Sequence, residues 1–147
     1  MFFLEILAEF LAEDLLYNKV KDYLTIRKGD LKDSAFEKFY KTFVVAFVET
    51  HRWPDTQHAE KFFNDETTVE GVLAYLYRFT EPDSTIREKT IAALCKWADE
   101  FELINYSQLT NAQLVARFLA KLETELRRDV NKSLLPYFGA VGISARQ

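Results

Sequence analysis

Cysteine, histidine, glycine and proline are all scarce in this chain, and each shortage removes a class of function. Among 147 residues there are one Cys, two His, four Gly and three Pro. A lone cysteine excludes an intramolecular disulfide framework and fits a reducing compartment. With only His51, His58 and Cys95 to draw on, and no His-x-x-x-His or Glu-x-x-His spacing, the chain offers no metal set. Too few glycines remain for a Walker or dinucleotide-type phosphate loop, so no nucleotide cofactor is expected. Basic charge is short as well. The net charge is −4 and the isoelectric point about 5.3, whereas a sequence-independent hold on nucleic acid needs a basic field. Lys19, Lys21, Arg27, Lys28 and Lys32 cluster, but Asp22, Asp30 and Asp33 interleave with them, which reads as a solvated face. No apolar run approaches the roughly 20 residues of a spanning helix, so no stable membrane insertion is expected. The N-terminal run from Met1 to Asp14 is broken by Glu5 and Glu9 and lacks a basic start and a cleavage site. These features together place the protein in the cytoplasm.

What is abundant is phenylalanine, with 13 among a 15% aromatic content. Phe has no polar tip to satisfy, so most of these rings belong in a core. Hydrophobic residues make up 48% and charged residues 29%, a globular balance. Few glycines and prolines favour long regular elements. The segment Thr110–Asp129 shows the pattern most clearly: Leu114, Val115, Phe118, Leu119, Leu122 and Leu126 fall on one side of a helix, with Arg117, Lys121, Thr124 and Arg128 opposite. Gln113 completes a capping box with Thr110.

Five further helical segments follow the same logic. The first spans about Phe2 to Ile26 and stops where Arg27 and Lys28 precede Gly29, a residue suited to a left-handed cap. The second starts at Ser34 with Glu37 as box partner, lines Phe36, Phe39, Tyr40, Phe43, Val44 and Phe47 on one face, and ends at Trp53-Pro54. A short third runs from Pro54 to Phe63 and is broken at Asn64-Asp65. The fourth starts at Thr67 with Glu70 as box partner, and the fifth covers about Ser84 to Leu103 with Ile91, Leu94, Cys95, Ala98 and Phe101 inward. Thr42–Val48 has strand propensity but lies inside a helical period. The expected fold is all-α: a single compact bundle of five to six helices with short connections. Residues 1–132 form this domain, and residues 133–147, which have no period, form a C-terminal extension or linker.

Reactive constellations are missing from this pattern. Nucleophilic catalysis needs a Ser, Thr, Cys or Lys beside a positioned base, and only Cys95 with a histidine could be assembled; a buried, inert cysteine is the better reading. Asp99, Glu100 and Glu102 form an acidic helix end of the ordinary solvated kind. The chain is therefore read as a non-enzyme without cofactors. Two features stand out. Asp14 projects at the angle of the apolar face of Phe3, Ile6, Leu7, Phe10 and Leu11, where a carboxylate needs a partner, either from the Lys19–Lys28 group, from Arg87, or in an assembly. The first helix also carries Phe2, Leu16, Val20 and Tyr23 on its other side. A helix apolar nearly all round is buried in its own core or awaits a partner. Its first half carries acids, not the Lys and Arg of membrane-surface helices. Phe2, Phe3, Asp14, Leu16 and Trp53 are thus the candidate interaction surface of a module that binds a protein partner or itself. The alternative is a bundle that binds a small hydrophobic ligand in a Phe-lined cavity.

Three stretches resemble the N-terminal helical domains of prokaryotic STAND NTPases of NACHT type, relatives of the NOD-like receptors. They are Phe62–Val69 with Val72-Leu73, then Leu94–Trp97, then the closing helix Phe118–Asp129. The resemblance covers about residues 62–135. It departs where the closing helix is usually followed by Pro-x-Leu, since this chain has Asp129-Val130-Asn131. It implies an adaptor or signalling module in bacterial antiviral defence. Such a module is clustered by an NTPase, attached beyond Gln147 or separate, and passes the signal through contacts with itself or an effector.

Overall fold

A computed structural model describes residues 2–11, 14–30, 35–77 and 85–138. They form seven α-helices: α1 (Phe2–Ala8), α2 (Asp14–Asp30), α3 (Ala35–Glu49), α4 (Thr56–Asn64), α5 (Glu66–Tyr77), α6 (Thr85–Glu100) and α7 (Asn111–Leu126). A 3-10 helix, Asp129–Phe138, follows. No strand occurs among the described residues, so the fold is all-α.

The expected first helix is two. After α1 the chain tightens: Glu9 N–H bonds to Ile6 O at 3.1 Å and Phe10 N–H to Leu7 O at 2.9 Å. The physical reason lies in its nearly all-round apolar surface. A straight helix could turn only one side to the core. Broken in two, it buries Phe3, Leu4, Ile6 and Leu7 from α1 and Val20, Tyr23 and Leu24 from α2 in the same core. That break and the terminal 3-10 helix account for the excess over the expected five to six elements. α2 also runs through Gly29 to Asp30 instead of stopping at the glycine.

α5 is the central element. Its residues Thr67, Thr68 and Glu70–Leu76 are all buried, and it packs against α1, α2, α4, α6 and the 3-10 helix. Its start is one turn signal earlier than expected. Asp65 Oδ2 accepts the Thr67 N–H at 2.9 Å, so Asp65 caps the start of the helix and Thr67 sits buried in its first turn. The Asn64-Asp65 break is thus also the next helix's cap. Gly71 faces α6 so closely that a side chain there would meet Leu94 and Phe3.

α7 is built as its sequence implies. Thr110 Oγ1 accepts the Gln113 N–H at 3.1 Å and Gln113 Oε1 accepts the Thr110 N–H at 3.0 Å. Its six stripe residues, Leu114 to Leu126, are buried. α4 has Asp55 as its cap, accepting from Gln57 and His58 N–H at 3.0 and 3.2 Å, with Pro54 just outside. The 3-10 helix spans the expected boundary between 132 and 133 and puts Leu134 into the core. Ser34, expected to cap α3, lies outside the described residues.

Candidate functional site

Helix α3 carries more aromatic side chains than its neighbours can cover. Phe36, Tyr40, Val44, Phe47 and Val48 are buried. Phe39 and Phe43, on the adjoining stripe, are only half-buried. Spaced four residues apart, Phe39, Phe43 and Phe47 form a ladder with ring centroids 6.2 and 6.4 Å apart. Phe118 of α7 closes it from below, meeting Phe43 edge-on at 5.3 Å and Phe47 at 5.0 Å.

Above this ladder runs a groove of about 650 Å³ between α3 and α7. The α3 wall is Lys38, Phe39, Thr42, Phe43, Ala46, Phe47 and Thr50; the opposite wall is Lys121, Glu125, Arg128, Val130 and Asn131. Lys121 Nζ lies 5.7 Å from the Phe47 ring centroid, a cation–π placement that keeps its ammonium on the groove. Arg128 Nη1 pairs with Glu125 Oε2 at 3.0 Å, and Asn131 Nδ2 donates to Glu125 O at 2.7 Å. Three cations therefore face one carboxylate in a chain of net charge −4. Val130 on the rim is 72% exposed, so the groove opens to solvent along its length.

The residues singled out from the sequence do not build this groove. Phe3 is fully buried against α5 and α6 and is core, not surface. Leu16 is half-buried against the same core. Trp53 is half-buried, donates its indole N–H to Val48 O at 2.8 Å and meets Phe63 edge-on, which makes it a packing piece beside α3. The side chains of Phe2 and Asp14 lie outside those described. Arg87, a candidate partner for Asp14, instead pairs with Glu123 of α7 and lies 4.4 Å from the Tyr75 ring centroid. A sequence signal for the groove exists: the apolar face of α3 is wide enough to take in Phe39 and Phe43 beside Tyr40 and Phe47, and Lys121 and Arg128 stand on the polar side of α7.

The reactive groups are committed elsewhere. His58 Nε2 donates to Phe101 O at 3.2 Å with its ring stacked on Phe101. His51 Nδ1 lies 3.0 Å from Phe47 O and 2.9 Å from Thr50 Oγ1. Cys95 is half-buried, and burial, then the Asp99 carboxylate, push its thiol up, the reverse of nucleophile activation. Among the described residues no group of three or more His, Cys, Asp or Glu is placed to hold a metal ion, and no helix is long and apolar enough to cross a membrane. The groove offers apolar area and positive charge.

No family model matches the chain, and no curated protein or solved structure is found similar to it.

Proposed function

We propose that this protein is a non-catalytic helical interaction module that docks a helical segment of a partner protein in the groove between α3 and α7. One observation carries the reading: half-exposed Phe39 and Phe43, in line with buried Phe47, beneath a basic rim. Buried aromatic anchors ringed by polar groups are the usual makings of a protein-binding hot spot. The second reading, a small amphiphilic ligand, is favoured by the groove's volume, since ligand pockets run about 300–1,000 Å³. Such pockets enclose most of their ligand, however, whereas here Thr42, Ala46 and Val130 all face solvent. An open trough suits a helix laid along it.

The resemblance of residues 62–135 to STAND-associated domains supplies a setting for this module: a bacterial defence or signalling system in which an NTPase clusters it in the cytoplasm. Light scattering of the chain joined to an NTPase of that class, with and without nucleotide, tests this setting. Unchanged assembly counts against it.

A photo-crosslinking residue at Ala46, on the groove, compared with one at exposed Ala112 on α7, outside it, tests the docking. The expected result is a protein adduct at position 46 alone, abolished when Thr42→Trp fills the groove. Only small-molecule adducts at 46, or equal protein adducts at both positions, reject it.

A further inference from the structure

Resting on the docking reading above, we infer that the helix the groove accepts is an acidic amphipathic one. Its apolar face lies on Phe39 and Phe43, and its carboxylates meet Lys38 and Lys121. The charge pattern carries this. Glu125, the groove's single carboxylate, is already paired with Arg128. Among the described residues no acidic side chain pairs with Lys38 or Lys121. Lys121 Nζ lies 5.7 Å from the Phe47 ring centroid and lines the groove.

The dimensions fit a helix. The α3 wall runs from Lys38 to Thr50, and at about 1.5 Å of rise per residue this spans roughly 18 Å, enough for about three turns. The four-residue spacing of the ladder presents a ridge row into which partner side chains at i, i+3/i+4 and i+7 interdigitate. Lys38 adjoins Phe39 and Lys121 covers Phe47. The two ammonium groups therefore mark opposite ends of the ladder, roughly 13 Å apart along the axis. Carboxylates about two turns apart on the rim of the bound helix would reach both. α1, where Glu5 interrupts an apolar run, has Phe3 and Leu7 fully buried in its own core and is not free to be that helix in a second copy.

Two fluorescein-labelled peptides of about 15 residues, long enough to be helical when bound, provide the test. They share one leucine face and differ only in carrying Glu or Lys on the flanking positions. Binding is read by anisotropy against the wild-type chain, a Lys38→Glu/Lys121→Glu variant and Thr42→Trp. All three substituted positions are exposed, and thermal melts verify that each variant is folded. The Glu peptide should bind the wild type at least about tenfold more tightly than the Lys peptide at low salt. The preference should invert in the charge-reversed variant, and both peptides should be lost with Thr42→Trp. Equal binding of the two peptides overturns the charge inference while leaving helix docking intact. Failure of both peptides, with a fluorescent long-chain carboxylate bound instead, overturns the docking reading as well.

Discussion

A methyl group on Gly71 would stand 2.8 Å from Leu94 Cγ, closer than real side-chain carbons approach. The same methyl would stand 2.8 Å from Phe3 Cε1. The glycine thus lets α1, α5 and α6 converge at one point, and Leu94 and Phe3 are themselves buried and have little room to yield. Gly71→Ala gains helix propensity of up to about 1 kcal/mol, but overpacking costs about 1–3 kcal/mol. The expected outcome is a net loss of up to about 2 kcal/mol in urea unfolding, with Gly71→Ala/Leu94→Ala losing less than the sum of the two single variants. A raised midpoint in the single variant, or strict additivity in the double, refutes the close approach.

Thr110 and Gln113 satisfy each other's backbone N–H groups at the start of α7. Thr110→Ala should cost about 1 kcal/mol, and Thr110→Ser should be near neutral, because the hydroxyl is the acceptor. Equal loss in both variants would assign the effect to packing of the threonine methyl.

How far such features can be read from sequence differs by element. The α7 stripe and cap are local, and periodicity with one Thr-x-x-Gln pair is enough to place both. Residues 2–26 are different. Their apolar surface runs nearly all round, and whether it folds back on itself or stays straight depends on the core it meets, which no local pattern contains. Thr67 loses the helix start to Asp65 because two legitimate capping residues compete within three positions. Phe3 leaves the candidate surface for the same reason that the first helix divides: it is surplus only while α1 and α2 are taken as one rod. Phe39 and Phe43 share an apolar face with Tyr40 and Phe47 in sequence. That α7 leaves them half-covered is a matter of how many helices are available, and no period reveals it.

Tyr75 links α5 to α6 and α7: its hydroxyl donates to Glu123 and accepts from Arg87 Nη2 at 2.8 Å. Burial, then the hydrogen bond and charge of Glu123, push its phenol up to about 12 from an ordinary value near 10, against the opposing pull of Arg87. Burial likewise pushes Tyr40 up, where its hydroxyl donates to Phe63 O. Both shifts raise the folded-state value, so the folded form holds these protons more tightly than the unfolded form. Their contribution is complete below about pH 10 and is lost as pH rises through the folded values. Stability measured across pH 9 to 12 should therefore decline on the alkaline side, about where phenols ordinarily ionise. Tyr75→Phe should make the decline shallower across the window from about pH 10 to about pH 12, leaving the Tyr40 part. A decline of the same slope in Tyr75→Phe and wild type contradicts the linkage.

The pair Phe3 and Leu16 separates core from surface within the first two helices. Phe3 is fully buried between α5 and α6, whereas Leu16 lies half-buried at the margin of the core. Phe3→Asp removes a core ring, a loss of about 3–5 kcal/mol even for alanine, and leaves a carboxylate without water, which adds further cost. Domains of this kind have about 5–15 kcal/mol of stability in total, so this variant should be largely unfolded by circular dichroism at 25 °C. Leu16→Asp keeps its carboxylate in reach of solvent and should cost about 1–2 kcal/mol, leaving a cooperative melt at a lower temperature. A folded Phe3→Asp variant that melts like wild type would mean that α1 does not occupy its place against Gly71, and the packing of α1 on α5 and α6 would fall with it.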